Sequence, residues 1–262
     1  MRRGPKMVLA ALTALTLSSL ARADEKVYQQ TLPSTVLVIS QTRDGGATGS
    51  GVLVDGQRKW VLTNFHVVHD SRELAVVFPT YDDDGQLIAE RTTYIEQAGE
   101  LRRRGRVVDG RVIAREPRLD LALIELDRLP EDAKAVRLAG GSPRPGQRVH
   151  SIGNPGASDG LWLYSQGHVR AVYRRSFVVE GDLEIRARVV ETQSPTNRGD
   201  SGGPVVNDRG ELVALVESVN RGRPGEEVRL LSTFIDITEI KRFLKRHAEA
   251  ANRANPSKTA GK

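Results

Sequence analysis

A serine hydroxyl becomes a useful nucleophile only where a base can take its proton and nearby amides can hold the charge that develops on the substrate. One serine in this chain has such a frame: Asn197-Arg198-Gly199-Asp200-Ser201-Gly202-Gly203-Pro204, directly before the apolar pair Val205-Val206. Glycines on both sides of Ser201 allow a tight turn that aims the amides of Gly199 and Ser201 at one point. Two converging N–H donors are what an oxyanion needs. The alternative is a glycine-rich hairpin turn with no chemistry, which the presence of two suitable partners elsewhere argues against.

The base must come from five histidines, His66, His69, His150, His168 and His247. His66 follows Trp60-Val61-Leu62-Thr63-Asn64-Phe65, where an apolar strand ends and a short turn begins, so its imidazole can face a cleft. His69 is a competitor for the role, or a metal partner of His66, but a lone His-x-x-His without further ligands reads as structural. No metal and no cofactor are expected. The third group should be a carboxylate that fixes the histidine tautomer and stabilises imidazolium. Asp120 fits, because it opens the apolar run Leu121-Ala122-Leu123-Ile124-Glu125-Leu126, where a carboxylate is costly to bury unless hydrogen-bonded. A simple cap at the start of a strand is the blander reading of Asp120.

Short β-rich runs must position these three residues. They cover Thr35–Ser40, Gly51–Val54, Trp60–Thr63, Leu74–Phe78, Leu121–Leu126, Val149–Ile152, Val169–Tyr173, Arg186–Glu191, Gly203–Val206, Leu212–Ser218 and Arg229–Ile235, separated by Gly, Pro, Asn and Asp. This spacing predicts an all-β fold of barrels or a sandwich. The Pro- and Gly-rich stretch Asp127–Gln147 divides the runs into two halves, about residues 30–130 and 145–236. Thr92–Arg104 has helical character and resembles an insertion in the first half. Ahead of it, Asp82-Asp83-Asp84-Gly85 lacks the alternation of a calcium loop and reads as a polar turn. Beyond Ile235, the spacing of Ile237, Ile240, Phe243 and Leu244 predicts a helix with one apolar stripe, followed by a fraying tail at Asn255–Lys262.

Residues 1–23 have the features of a secretion signal: Arg2, Arg3 and Lys6, an apolar run from Met7 to Leu20, and Ala21-Arg22-Ala23 as a cleavage site. The run is too short and too rich in Ser and Thr to serve comfortably as a span, so the processed chain is not expected to cross a membrane. The chain has 39 Lys and Arg against 33 Asp and Glu; without Arg2, Arg3, Lys6 and Arg22 the count is 35 against 33, a net +2. That balance argues against a nucleic-acid partner, and the arginine-rich stretch Leu101–Arg118 reads as solvated surface. With no cysteine, disulfides and thiolate chemistry are excluded. An exported, periplasmic or secreted protein large enough to be held by its own core is expected.

Taken together, Gly49–Val54, Thr63-Asn64-Phe65-His66-Val67, Asp120-Leu121-Ala122-Leu123, Ile152-Gly153-Asn154-Pro155, Gln166-Gly167-His168-Val169 and Thr192–Pro204 resemble the trypsin-like serine proteases, and most closely those of the HtrA (DegP) type. The resemblance covers about Thr35 to Ile235. It implies two perpendicular six-stranded barrels within a domain of about residues 24–240, with the site in the cleft between them. Ser201 would attack a peptide carbonyl, His66 would take and return the proton, and Asp120 would orient His66. The amides of Gly199, Asp200 and Ser201 would bind the oxyanion. The partner implied is a polypeptide in an unfolded or extended state, and the resemblance alone suggests a homotrimer.

Three departures from that pattern matter. HtrA-type chains usually continue into PDZ domains, for which this sequence has no residues. Asp200 stands where such proteases usually have Asn; digestive relatives have Asp there, paired with a new N-terminus, but their Ile-Val-Gly-Gly activation sequence is absent. Third, the resemblance puts Pro195 at the base of the substrate pocket, with Glu217, Ser218 and Val219 in its walls, which favours a small or aliphatic residue before the cut. Two function classes follow: an active endopeptidase, or a catalytically quiescent peptide-binding, chaperone-like module on the same fold. An esterase is disfavoured because the strand-turn-helix nucleophile elbow is missing.

Overall fold

The computed structural model describes residues 24–42, 45–71, 73–179, 183–219 and 231–254. The expected leader and the tail at 255–262 lie outside them, as does part of the strand expected at 229–235. Six strands form a closed antiparallel barrel: β1 (Thr35–Thr42), β2 (Gly45–Asp55), β3 (Trp60–Thr63), β4 (Glu73–Val77), β5 (Val107–Glu116) and β6 (Leu121–Leu126), in the order β1-β2-β3-β6-β5-β4. Alternation explains the closure: Val36, Val38, Leu53, Val61, Val76 and Ile124 point inward to one buried cluster.

The second half holds seven strands, β7 (Arg137–Leu138), β8 (Arg148–Gly153), β9 (Leu163–Val179), β10 (Leu183–Thr192), β11 (Pro204–Val206), β12 (Glu211–Val219) and β13 (Ser232–Asp236). They run β11-β8-β9-β10-β13-β12-β7, and a further β11–β12 pairing joins the ends of the six longer-range partners. β7 is an addition to the expected six; it lies in the Pro- and Gly-rich stretch and pairs with β12 in parallel through two residues. Val149, Val190, Val205, Val216 and Phe234 fill this half.

The helices are small except for the last. Residues 24–31 form α1, followed by α2 (Phe65–Val68), α3 (Arg91–Glu96), α4 (Ala98–Arg103) and α5 (Ile237–Ala254). In α5 the stripe works as its spacing implies: Ile237, Ile240 and Phe243 are wholly buried, and Leu244 packs on the same cluster. That cluster also takes Leu62, Leu121 and Leu123 from the first barrel and Val189, Leu215 and Ile235 from the second half, so one apolar mass joins them. Helix α1 was not expected. It docks through an Asp24–Arg148 ion pair and through Tyr28, whose hydroxyl donates to Trp162 O.

One expectation is overturned. The arginine-rich stretch is not all solvated surface, because residues 107–116 form β5 of the closed barrel. Val107, Val108 and Ala114 are buried, while Arg111 and Arg115 point outward, with Arg111 against Glu125. The outward charges broke the apolar pattern that would have revealed a strand. Asp82 forms a polar turn, its carboxylate accepting the N–H groups of Asp84 and Gln86.

Candidate active site

His66 sits in the single turn of α2, just past the end of β3, and Asp120 sits where a short 3-10 turn enters β6. Because β3 and β6 are neighbours, Thr63 pairs with Ala122 and the two residues beyond these strands meet. Asp120 grips His66 twice: Oδ1 accepts the His66 main-chain N–H at 2.8 Å, and Oδ2 lies 2.6 Å from Nδ1. Its carbonyl accepts Asn64 Nδ2 at 2.9 Å and the Phe65 N–H at 3.2 Å. Asp120 adopts a left-handed conformation, φ 51° and ψ 46°, and is 0% exposed. These bonds offset both the strain and the cost of burying a carboxylate. They also fix the orientation of the imidazole through Nδ1, with a side chain 24% exposed.

Ser201 comes from the second half, on the turn ahead of β11. Gly199 and Gly202 have φ of +99° and +86°, so the turn uses backbone shapes that only glycine adopts without strain. A Cβ on Gly199 would lie 2.5 Å from Asn154 O, and one on Gly202 would run into Ser50 O. Ser201 and Gly199 line a cleft of about 660 Å³ together with His66, Phe65, Val67, His69, Arg198 and the strand residues 46–48. The Ser201 hydroxyl donates to Glu217 O at 3.1 Å.

Sequence reasoning missed the residues that bind this turn to the first barrel. The Ser50 N–H donates to Ser201 O at 2.8 Å, and its hydroxyl donates to Gly199 O at 2.8 Å while accepting the Asn154 N–H at 3.0 Å. Thr63 Oγ1 holds Ser50 O at 2.7 Å. Asn154 extends the link, its Oδ1 accepting the Trp162 N–H at 3.0 Å. All four of Ser50, Thr63, Asn64 and Asn154 are buried polar residues inside the segments that carried the resemblance, and that combination was the available signal.

The other expected residues are distributed unevenly. The Asp200 N–H is used by Asn197 O at 3.1 Å, so it is a turn bond and not a third oxyanion donor. The Asp200 carboxylate accepts the Asn197 N–H at 2.7 Å; burial outweighs that bond and pushes its carboxyl up to about 6. Pro195 is exposed and lines, with Asp200, Tyr164 and Ser165, a separate cavity of about 130 Å³. Glu217 is 0% exposed, and its carboxylate, an Asp120 oxygen and a His66 nitrogen all lie within 4.8 Å of one another. Ser218 and Val219 continue β12, paired with Thr233 and Ser232.

Among the described residues, that trio is the group with donor atoms close enough to hold a metal ion, and His69 is not part of it. His69 is 64% exposed on its side chain and sets its ring at a tilt against Phe65. His150 is buried between Tyr164 and Asp208, His168 bonds Gln193, and His247 lies on Phe243.

A family model described as a trypsin-like peptidase domain matches residues 49–215. The periplasmic serine endoprotease DegP of Salmonella typhimurium is 30% identical over 171 residues, covering 64% of this chain and 29% of the relative. The chain thus spans less than a third of that relative's length. Among solved structures, the active form of the Rv3671c protease from M. tuberculosis superposes with a TM-score of 0.66 at 21% identity, covering 86% of this chain and 85% of that one. An HtrA-type protease bound to a tripeptide gives a TM-score of 0.61 at 19% identity, covering 84% and 61%. At such identities the structural likeness concerns the fold.

Proposed function

This chain belongs to the trypsin-like peptidase family, and from that premise we propose that it is an exported serine endopeptidase acting on unfolded or extended protein segments. In this reading Ser201 is the nucleophile, His66 the general base and Asp120 the orienting carboxylate. The observation that carries it is the pair of hydrogen bonds that join His66 to the Asp120 carboxylate at the edge of a cleft that Ser201 also lines.

The chemistry follows from those positions. As the Ser201 hydroxyl leaves Glu217 O and turns to the second ring nitrogen of His66, its oxygen attacks the peptide carbonyl and His66 takes the proton. The carbonyl oxygen becomes an oxyanion, received by the amides of Gly199 and Ser201. Imidazolium, stabilised by Asp120, then protonates the leaving amine, and the C–N bond breaks to leave an ester on Ser201. Water attacks that ester with His66 again as base, which releases the acid and restores the serine.

Export is supported by the leader-like residues 1–23 and by relatives named as periplasmic; among the described residues no helix is long and apolar enough to cross a membrane. The placing of Pro195, Ser218 and Val219 on the acyl side of the substrate rests on the resemblance alone, as does assembly into a trimer. The test is labelling by a fluorophosphonate probe in the native protein and in Ser201→Ala. Labelling of the native form alone is the expected result. Absence of labelling in both, with casein still bound, would replace this reading by the quiescent peptide-binding module.

A further inference from the structure

The side chain that the hydrolytic unit described above leaves unused is Glu217. It lies 16 residues after Ser201, near the end of β12, where the pairing with β13 shifts register between Val216 and Ser218. Glu217 is the extra residue of that bulge. A bulge beside a site re-aims a side chain that regular alternation would send elsewhere, and here the result is a fully buried carboxylate beside His66 and Asp120. The same residue receives the Ser201 hydroxyl on its main-chain oxygen. Glu217 is therefore in contact with the nucleophile through its backbone and close to the base through its side chain.

We propose that Glu217 is a positioning residue of the hydrolytic unit, acting on His66 as a second counter-charge beside Asp120 and setting the pH at which the imidazole becomes a free base. The inference rests on the serine-hydrolase reading of this site. Two carboxylates and one imidazole within 4.8 Å cannot ionise independently. Like charges disfavour each other and opposite charges hold each other. The imidazole is intrinsically the most basic of the three and the one open to water, so the two buried carboxylates beside it favour its charged form. Two bonds from His66 to Asp120 favour the same form. Among the described residues that line the same cleft, His69 and Arg198 are the others able to carry charge, and a positive charge there acts in the opposite sense. Both are on its open side, where solvent screens them, whereas Glu217 and Asp120 are buried.

The consequence is a site that is silent in acid and active only once the extra stabilisation of imidazolium has been overcome. The experiment is the rate of fluorophosphonate labelling of Ser201, and kcat/KM for a peptide substrate, as functions of pH in the full chain and in Glu217→Gln. The midpoint of the acid limb should fall by about one pH unit or more in the variant, with a much smaller change in the plateau rate. A purely structural role would lower the plateau and leave the midpoint in place. Glu217→Ser is a second neutral variant, and an NMR titration of the His66 ring in Ser201→Ala measures the effect with Glu217 intact. An unshifted midpoint in a folded neutral variant, or a His66 ring that titrates at the ordinary value in the Glu217-containing protein, overturns the proposal. Failure of the hydrolase reading is separately visible as no Ser201-dependent labelling at any pH, with the ring titration still deciding the effect of Glu217.

Discussion

The first barrel holds His66 and Asp120 by bonds made within one closed sheet, whereas the second half carries Ser201 on a turn that is completed only by contact with the first. On one side, β3 and β6 are neighbours, and the Asp120 carboxylate, Asp120 carbonyl, Asn64 and the α2 backbone close a local network. On the other side, Gly199 and Gly202 have left-handed backbones, and their turn leans across the cleft on Ser50, which also takes the N–H of Asn154 from the second half. His66 and Asp120 are thus set by one half, and Ser201 is placed by the join between two. Damage to the join should disable the site while leaving the base intact.

The largest effect should come from the chemistry itself. Ser201→Ala and His66→Ala should each reduce hydrolysis of casein or a peptide substrate by about 10⁴-fold or more, and the double variant should be little worse, because the groups act as one unit. Circular dichroism and Tm should stay close to the native values for Ser201→Ala. Turnover retained in a carefully purified Ser201→Ala protein would remove the nucleophile from the comparison.

Next in size is the join. Gly202→Ala puts a Cβ into Ser50 O from a left-handed backbone and should cost about 3 kcal/mol of stability, with labelling of Ser201 nearly lost. Ser50→Ala is milder: it removes the bond to Gly199 O and leaves the Asn154 N–H buried without its acceptor, for about 1–3 kcal/mol. Its labelling rate should fall about ten- to a hundredfold, while the His66 ring, observed by NMR, titrates as in the native protein. A shifted His66 titration in Ser50→Ala would show that the base also depends on the join.

A smaller effect, of opposite sign, is expected at Asp200. Its carboxyl, pushed up to about 6 by burial, loses its proton in the unfolded chain at the ordinary value of 3.8. Between those values the folded form holds a proton that the unfolded form has lost, so stability falls as pH rises through the window and the penalty is constant above it. Asp200→Asn removes the penalty and should stabilise the protein at pH 7 by at most about 3 kcal/mol, with the difference fading below about pH 4. It should also raise basal kcat/KM several-fold without changing which bond is cut, since it removes charge next to the oxyanion turn. A substantial fall in kcat/KM would mean that the carboxylate contributes favourably to the turn, and the idea of a restraining charge would be abandoned.

The smallest effect belongs to His69→Ala, which should keep activity within about twofold: its exposed ring has no part in the Asp120 network. Loss of activity comparable to that of His66→Ala would mean that the wrong histidine had been assigned to the base.

What the sequence by itself determined is the set of residue types and their order. The glycines around Ser201, the apolar run after Asp120 and the strand before His66 are local features, each tied to a local physical need: a tight turn, a buried anchor, a strand end. The stripe of α5 was legible for the same reason, since its period lies in consecutive residues. Strand β5 was not, because Arg111 and Arg115 hold the outer face of a strand that reads as solvated surface. Only the tertiary structure decided that Ser50 holds a turn about 150 residues away and ties it to Asn154, and that the Asp200 amide is spent within its own turn. It alone decided where Glu217 points. Alternation assigns each strand residue to a face, but a bulge is a property of two paired strands, and the pairing of β12 with β13 is what set that carboxylate beside His66.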